Sequence, residues 1–218
     1  KELMLLYNDT KAIEFGTTFD PQLVEIHSVC LNDVYLLDAL KNNISPNTKV
    51  VFGIGGSTLD EIDFAIDRIQ HKNIVLMYGF QNYPTKYENI NFLKFEKIIK
   101  KYPDFEFGYA DHCAWNEPNN ALITLLGALK KGVQYVEKHI TTVFGEERTD
   151  WQSAISIEMF NEIADKIEIL NECNGSGEMA LNEGEKAYSI YGPMKKAGIL
   201  TRDVKGGKTF SLKDIEFK

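Results

Sequence analysis

The sequence has few cysteines, few histidines and no long apolar run. Its 218 residues include three cysteines and four histidines. Cys30, Cys113 and Cys173 are widely spaced and form no CxxC pair, a pattern that fits neither a disulfide framework nor a zinc knuckle. No apolar stretch approaches the roughly 20 residues of a membrane-spanning helix, and the apolar stretch among the first residues is too short for a signal peptide. We therefore expect a cytoplasmic protein with reduced thiols.

Positively charged residues are also fewer than negatively charged ones. The chain carries 32 Asp and Glu residues against 24 Lys and Arg residues, which gives a formal net charge of -8. A nucleic-acid backbone or an anionic membrane surface would repel such a protein over most of its area. The content of 44% hydrophobic and 26% charged residues is that of an ordinary globular protein. We expect neither a nucleic-acid partner nor a membrane partner.

What the sequence does contain is an alternation of short apolar runs with longer segments of helical period. This alternation is typical of βα units around a parallel sheet. Helices are predicted from a capping box at Ser57 and Asp60, over residues 87–101, over residues 118–132, and after a cap at Ser156. The glycine-rich residues 53–57 fit a tight turn or an anion site. Six strands are predicted, at residues 12–17, 24–29, 49–54, 74–79, 106–109 and 134–139.

A break at residues 174–177 ends this pattern, and residues 204–210 suggest a turn between two short strands. We expect residues 1–172 to form one domain, and residues 173–218 to be a linker and the beginning of another. A complete eight-stranded barrel takes roughly 250 residues. The first domain is therefore either an open doubly wound sheet or a barrel without its first two strands, and periodicity alone does not decide between them.

Two of the four histidines, His112 and His139, end consecutive predicted strands. Active sites of parallel barrels form at the carboxyl ends of the strands, and neighbouring strands lie about 4.8 Å apart. Two imidazoles at this position can share one metal ion. Strand alternation directs Glu137 to the same face as His139 and Lys138 to the other, which leaves Lys138 as a rim charge or a functional residue. His27, which lies near the end of a more distant predicted strand, is expected to be structural.

These residues, in this order, resemble the sialic acid synthase family, which includes the N-acetylneuraminate, legionaminic acid and pseudaminic acid synthases. The segment FGTTFD at residues 15–20 is similar to the third-strand signature of the family, and LTRDVKGG at residues 200–207 is similar to the entry to its C-terminal antifreeze-like domain. Further motifs are GGSTLDEI at 55–62, YPT at 83–85, GYADH at 108–112 and EKHIT at 137–141.

The resemblance implies a (β/α)8 barrel of the TIM type, of which this chain would hold strands three to eight and the start of the antifreeze-like domain. It also implies a homodimer, in which that domain reaches the active site of the partner. The family joins phosphoenolpyruvate to an N-acetylated hexosamine, forming a nonulosonic acid for surface carbohydrates. By this resemblance, His112 and His139 would be catalytic and would hold a divalent metal, manganese or magnesium.

The substrate-binding candidates are Ser28, Gln81, Tyr83, Lys138 and Asp150. The chain departs from the family pattern where the phosphate should lie, since Glu25 replaces a lysine and a carboxylate repels a dianion. Three alternatives therefore stand beside the synthase: a catalytically silent sugar-binding relative, a subunit-pairing relative, and a metal-assisted hydrolase or lyase on the same barrel. The other departures are Gly53, Gln81, Ala110 and Trp151.

Overall fold

The computed structural model describes residues 2–218. The chain divides between Glu172 and Cys173 into two compact units. Across the described residues, no helix combines the length and the apolar character that a membrane crossing requires.

The first unit is built on a six-stranded parallel sheet in which the strands follow one another in chain order. Strand order does not reverse anywhere in the sheet, whereas a doubly wound sheet requires a reversal. The arrangement is an α/β fold consistent with part of a TIM-type barrel. The strands are β1 (Met4–Tyr7), β2 (Leu23–Ile26), β3 (Lys49–Gly53), β4 (Ile74–Tyr78), β5 (Glu106–Asp111) and β6 (Val133–Lys138).

Helices connect these strands: α1 (Thr10–Gly16), α2 (Val34–Asn43), α3 (Leu59–Ile69), α4 (Tyr87–Ile90), α5 (Phe92–Lys101) and α6 (Asn120–Ala128). After β6, the two-residue strands β7 (Ile140–Thr141) and β8 (Ile155–Ser156) pair in parallel, and helix α7 (Ile157–Asn174) follows. The second unit contains α8 (Glu183–Tyr191) and an antiparallel pair, β9 (Gly198–Leu200) with β10 (Ile215–Phe217).

The central strands are buried on both faces. Side chains on one face, such as Phe52 and Tyr78, pack in the large core that also holds Phe95 of α5. Side chains on the other face form a smaller apolar cluster of Val51, Val75, Met77 and Ala110. Strands covered on both sides give continuous apolar runs in the sequence, which explains why β3 and β4 could be predicted.

The prediction of a strand at residues 12–17 was wrong. These residues form α1, which Asp9 caps by accepting a hydrogen bond from the backbone N–H of Ala12 at 2.8 Å. Ile13 and Gly16 are the buried positions of this helix, at a spacing of three. The FGTTFD segment therefore lies at the end of α1 and in the following 3₁₀ turn, while the first strand is β1.

The predicted helix boundaries shift by small amounts. Thr58 and Glu61, rather than Ser57 and Asp60, form the capping box of α3. Residues 87–101 break into α4 and α5 at Asn91, which has a left-handed φ of 53°, and α6 is shorter than predicted. The cap at Ser156 is present, because its hydroxyl accepts a hydrogen bond from the N–H of Met159 at 3.2 Å.

The glycine-rich segment 53–57 forms a tight turn between β3 and α3. A Cβ atom on Gly55 would lie 2.5 Å from the backbone of Phe80, and Gly56 has a φ of +78°. Close backbone approach and left-handed geometry account for both glycines without an anion.

Candidate active site

A cavity of about 390 Å³ opens at the carboxyl ends of the strands. Polar groups reach it from several strands because the carboxyl ends of parallel strands share one edge of the sheet. Such an edge is where barrel enzymes hold their reacting groups. The lining residues are Leu6, Glu25, His27, Ser28, Gly53, Met77, Phe80, Tyr83, Ala110, His112, Glu137, His139 and Asp150.

The two strand-end histidines meet in this cavity. Asp111 at the end of β5 pairs in register with Lys138 at the end of β6, so the residues that follow them lie side by side. The Nε2 atoms of His112 and His139 are 3.2 Å apart. This separation allows both nitrogens to bind one ion at their usual ligand distances of roughly 2.0 to 2.1 Å.

Glu137 adds a third possible ligand. Its Oε1 atom lies 3.9 Å from the Nε2 of His112, and the candidate ligand atoms of His112, Glu137 and His139 all lie within 4.8 Å of one another. The Oε2 atom of Glu137 is buried and has no hydrogen-bond partner among residues 2–218. An acceptor left in this state calls for a cation or a donor. The set therefore fits a divalent metal.

The protonation states of both histidines suit a metal ligand. The Nδ1 atom of His112 lies 3.2 Å from the carbonyl oxygen of Ala110, so Nδ1 carries the proton and Nε2 keeps a free lone pair. Burial, and next the nearby His139 imidazole, lower the pKa of His112 to about 4. Burial also lowers the pKa of His139. Both rings are neutral near pH 7, which is the form that binds metals.

On the opposite face of the same strand ends, Lys138 and Asp111 form a buried ion pair. Their Nζ and Oδ2 atoms are 3.1 Å apart, and their side chains are 2% and 0% exposed. Lys138 also donates to the Oδ1 of Asn120 at 2.7 Å. Lys138, predicted as a substrate contact, thus lies outside the cavity lining, because alternation along β6 turns this side chain away from the cavity.

The remaining sequence candidates divide between two places. Ser28, Tyr83 and Asp150 line the cavity, and the phenol of Tyr83 donates to the backbone carbonyl of Asp150 at 2.7 Å. Gln81 lies outside the lining and donates to the carbonyl of Ile90 at 3.1 Å. His27, expected to be structural, does line the cavity and packs edge-on against Phe80 with ring centroids 4.7 Å apart.

Glu25 is a functional candidate that the sequence did not bring together with Glu137. It projects from β2 into the cavity that Glu137 reaches from β6. Burial, and then the charge of Glu137, raise the pKa of Glu25 to about 8. Burial raises the pKa of Glu137 as well. Two buried carboxyl groups that face each other in this way keep a proton between them near neutral pH unless a cation offsets their charge.

Several solved structures share this fold. An N-acetylneuraminic acid synthetase from Leptospira borgpetersenii matches with a TM-score of 0.73 and 20% identity, over 85% of this chain and 62% of that one. A putative spore coat polysaccharide biosynthesis protein E from Chromobacterium violaceum matches with a TM-score of 0.77 and 17% identity, over 99% and 62%. A truncated 3-deoxy-D-arabino-heptulosonate 7-phosphate synthase from Thermotoga maritima matches with a TM-score of 0.67 and 14% identity, over 80% and 67%.

Sequence comparison gives a relative and a family. An uncharacterized protein from Methanocaldococcus jannaschii is 24% identical over 198 residues, which are 89% of this chain and 56% of that protein. The chain thus spans a little over half the length of this curated relative. A profile of the NeuB family matches residues 7–179, which include β2 to β6 and the histidine pair. The chain belongs to the NeuB family.

Proposed function

We propose that this protein is a metal-dependent, sialic-acid-synthase-like transferase. It would join a three-carbon donor, phosphoenolpyruvate according to the family resemblance, to an N-acetylated hexosamine and form a nonulosonic acid. The observation that carries this proposal is the convergence of His112, Glu137 and His139 at the carboxyl ends of adjacent strands. Membership of the NeuB family supports the same class of sugar-acid synthesis.

The chemistry of the cavity suits carbon–carbon bond formation with a sugar aldehyde. A bound manganese or magnesium ion would polarise the aldehyde carbonyl and stabilise the developing negative charge. Glu137 and the two neutral imidazoles would hold that ion, and Tyr83, fixed by its bond to the Asp150 carbonyl, would limit how the sugar lies across the opening. Phe80 and Met77 provide apolar walls that keep water from the reacting carbons.

The test is bond formation by the full-length protein. The protein would be incubated with Mn²⁺, a panel of N-acetylhexosamines, and either phosphoenolpyruvate or pyruvate labelled with ¹³C. Mass spectrometry would then detect a labelled nine-carbon 2-keto acid. We expect product with at least one acceptor. A panel in which neither donor yields labelled product with any acceptor would contradict the synthase proposal.

A second candidate is a sugar-binding relative that forms no bond. It is favoured by the lining of the cavity, which offers three carboxyl groups and, within residues 2–218, no lysine or arginine. Calorimetry separates the two candidates: sugar binding accompanied by no product supports the silent relative.

The resemblance also leads us to propose a homodimer, a cytoplasmic location, and a C-terminal antifreeze-like domain beginning within residues 173–218. Light scattering on the full-length protein would give the mass of the assembly. A monomeric mass would contradict the proposed dimer.

A further inference from the structure

The imidazole of His27 lines the cavity immediately after β2. Its Nδ1 atom accepts a hydrogen bond from the backbone N–H of Val29 at 3.3 Å and so caps the short 3₁₀ helix Ser28–Cys30. A neutral imidazole that accepts through one nitrogen carries its proton on the other. The Nε2 atom of His27 is therefore an N–H donor, unlike the Nε2 of His112, which keeps a free lone pair.

The cap uses only one of the two ring nitrogens. Asn, Asp and Ser are the residues that usually cap a helical turn, and none of them extends a second polar atom as far as the Nε2 of a histidine. Among residues 2–218, the His27 ring hydrogen-bonds through Nδ1 alone. The side chain is half-buried, and donors that leave bulk water normally have a partner. The Nε2–H group is thus available to a ligand in the cavity.

The space beside His27 is open because the neighbouring strand β3 ends in a glycine. Gly53 also lines the cavity, and a Cβ atom at this position would lie 3.0 Å from the backbone nitrogen of Ser28. The absence of a side chain at Gly53 leaves room for a ligand next to the end of β2.

Phe80 orients the His27 ring and sets it apart from the metal ligands. The centroid of Phe80 lies 4.7 Å from that of His27 and 4.9 Å from that of His112, and Phe80 packs edge-on with both. The group that can hold an ion comprises His112, Glu137 and His139. His27 therefore faces the same cavity with a different chemical task from the other two histidines.

We propose that His27 is a substrate-binding residue whose Nε2–H group donates a hydrogen bond to an anionic oxygen of the three-carbon donor. This inference rests on the proposed carbon–carbon bond formation. In that reaction the sugar aldehyde lies at the ends of β5 and β6, so the three-carbon donor extends from there toward β2. A carboxylate and a phosphate both offer anionic oxygens, and a hydrogen bond to a charged acceptor is stronger than one between neutral groups.

Two substitutions separate the capping role of His27 from ligand binding. His27→Asn keeps a side-chain oxygen that can accept the Val29 N–H but ends short of the position of Nε2. His27→Gln places an amide N–H group near the position of Nε2 but is a poorer cap. A purely structural role predicts that Gln is the more damaging change, whereas the proposed contact predicts that Asn is.

The test measures ligand binding and stability in the full-length protein loaded with Mn²⁺. Isothermal titration would give the Kd of phosphoenolpyruvate, pyruvate and inorganic phosphate, and thermal unfolding would give Tm. We expect His27→Asn to weaken phosphoenolpyruvate binding at least about tenfold with little change in Tm. His27→Gln should retain more of the affinity despite a lower Tm. The smaller ligand whose binding weakens in parallel, pyruvate or phosphate, identifies the anionic group that His27 contacts.

A matched control is His71→Asn, because His71 bonds to the carbonyl of Thr48 outside the cavity. It should leave the Kd of phosphoenolpyruvate unchanged. An unaltered Kd in His27→Asn, a greater loss of affinity in His27→Gln than in His27→Asn, or no binding of phosphoenolpyruvate by the wild type would overturn the proposal. The labelling experiment judges the synthase separately: the expected order of Kd values without labelled product from any acceptor would refute the synthase and retain His27 as a ligand contact.

Discussion

At the ends of β5 and β6, the inner face of the sheet lines the cavity and the outer face is the opposite one. Polar side chains on these two faces differ in whether they have hydrogen-bond partners. On the outer face, Asp111 accepts hydrogen bonds from Lys138, from the hydroxyl of Thr124 and from the N–H of Cys113. On the inner face, His112 and Glu137 lie 3.9 Å apart, and one buried oxygen of Glu137 has no partner in the described chain. Residues adjacent in sequence thus differ in whether their hydrogen-bonding capacity is used.

This difference separates a structural role from a functional one. Buried polar groups normally find partners, and the outer face follows that rule, which fixes the ends of both strands. Burial alone would raise the pKa of Asp111, but Lys138, Thr124 and the backbone N–H of Cys113 hold it below the usual value. On the inner face nothing comparable offsets burial, and the pKa of Glu137 is raised. The unused capacity is what a metal or a ligand can bind.

The largest expected effect comes from breaking the ion pair on the outer face. Lys138→Met leaves the carboxylate of Asp111 buried beside an apolar chain, and removing one partner of a buried pair costs about 3–5 kcal/mol. We expect the free energy of unfolding, measured by urea denaturation, to fall by this amount.

Two further variants control for the ion-pair experiment. The double variant Lys138→Met with Asp111→Asn should recover part of the loss, because it removes the uncompensated charge. Lys166→Met removes an exposed partner of Glu162 and should hardly shift the urea midpoint. Equal effects of Lys138→Met and Lys166→Met would show that the outer face does not stabilise the strand ends.

A large effect of a different kind is expected on the inner face. His139→Ala removes one of three proposed ligands, and we expect Mn²⁺ affinity measured by calorimetry to fall at least about 100-fold. Stability without metal should change much less than in Lys138→Met. His71→Ala is the matched control, since His71 bonds to the carbonyl of Thr48 outside the cavity. Similar Mn²⁺ affinity in both alanine variants would argue against the site.

Burial explains in part which strands could be predicted from the sequence. Strands β3 and β4 are buried on both faces, so their sequences are nearly continuous apolar runs, whereas β2, β5 and β6 mix apolar with charged residues. Strand β1 is only four residues long and largely exposed apart from Tyr7, and it gave no comparable signal. Residues 12–17 contain threonine and isoleucine, which favour strands, but Asp9 supplies a helix cap immediately before them. Local capping outweighed propensity there.

The site was predictable to the extent that it depends on neighbouring strands. The ends of β5 and β6 placed His112 beside His139, and alternation placed Glu137 with them. Glu25 could not be joined to this group from the sequence, because its approach to Glu137 depends on how far the sheet curls between β2 and β6. The partner of Lys138 was missed for a related reason, since Asp111 lies opposite it on the adjacent strand and the register between two strands cannot be read from the sequence.

Acidity should weaken metal binding through Glu137 more than through the histidines. The pKa values of His112 and His139 are lowered, so proton competition at the imidazoles begins only below about pH 6.5. The raised pKa of Glu137 means that the metal displaces a proton there at higher pH. We expect Mn²⁺ affinity of the wild type to fall by up to about tenfold per pH unit, beginning at higher pH than in Glu137→Gln. Identical pH profiles would exclude Glu137 as a ligand.

The smallest expected effect tests whether charge or hydrogen bonding dominates the outer face. Thr124→Val removes the hydroxyl that donates to Asp111 but keeps the side-chain volume, and Lys138 and the N–H of Cys113 still reach the carboxylate. One lost hydrogen bond of this kind costs about 1–2 kcal/mol, so the unfolding free energy should fall by less than in Lys138→Met. Thr18→Val, whose hydroxyl donates to the Phe15 carbonyl at an exposed position, is the control and should behave like the wild type. A Thr124→Val loss as large as that of Lys138→Met would mean that hydrogen bonds rather than the ion pair hold the strand ends together.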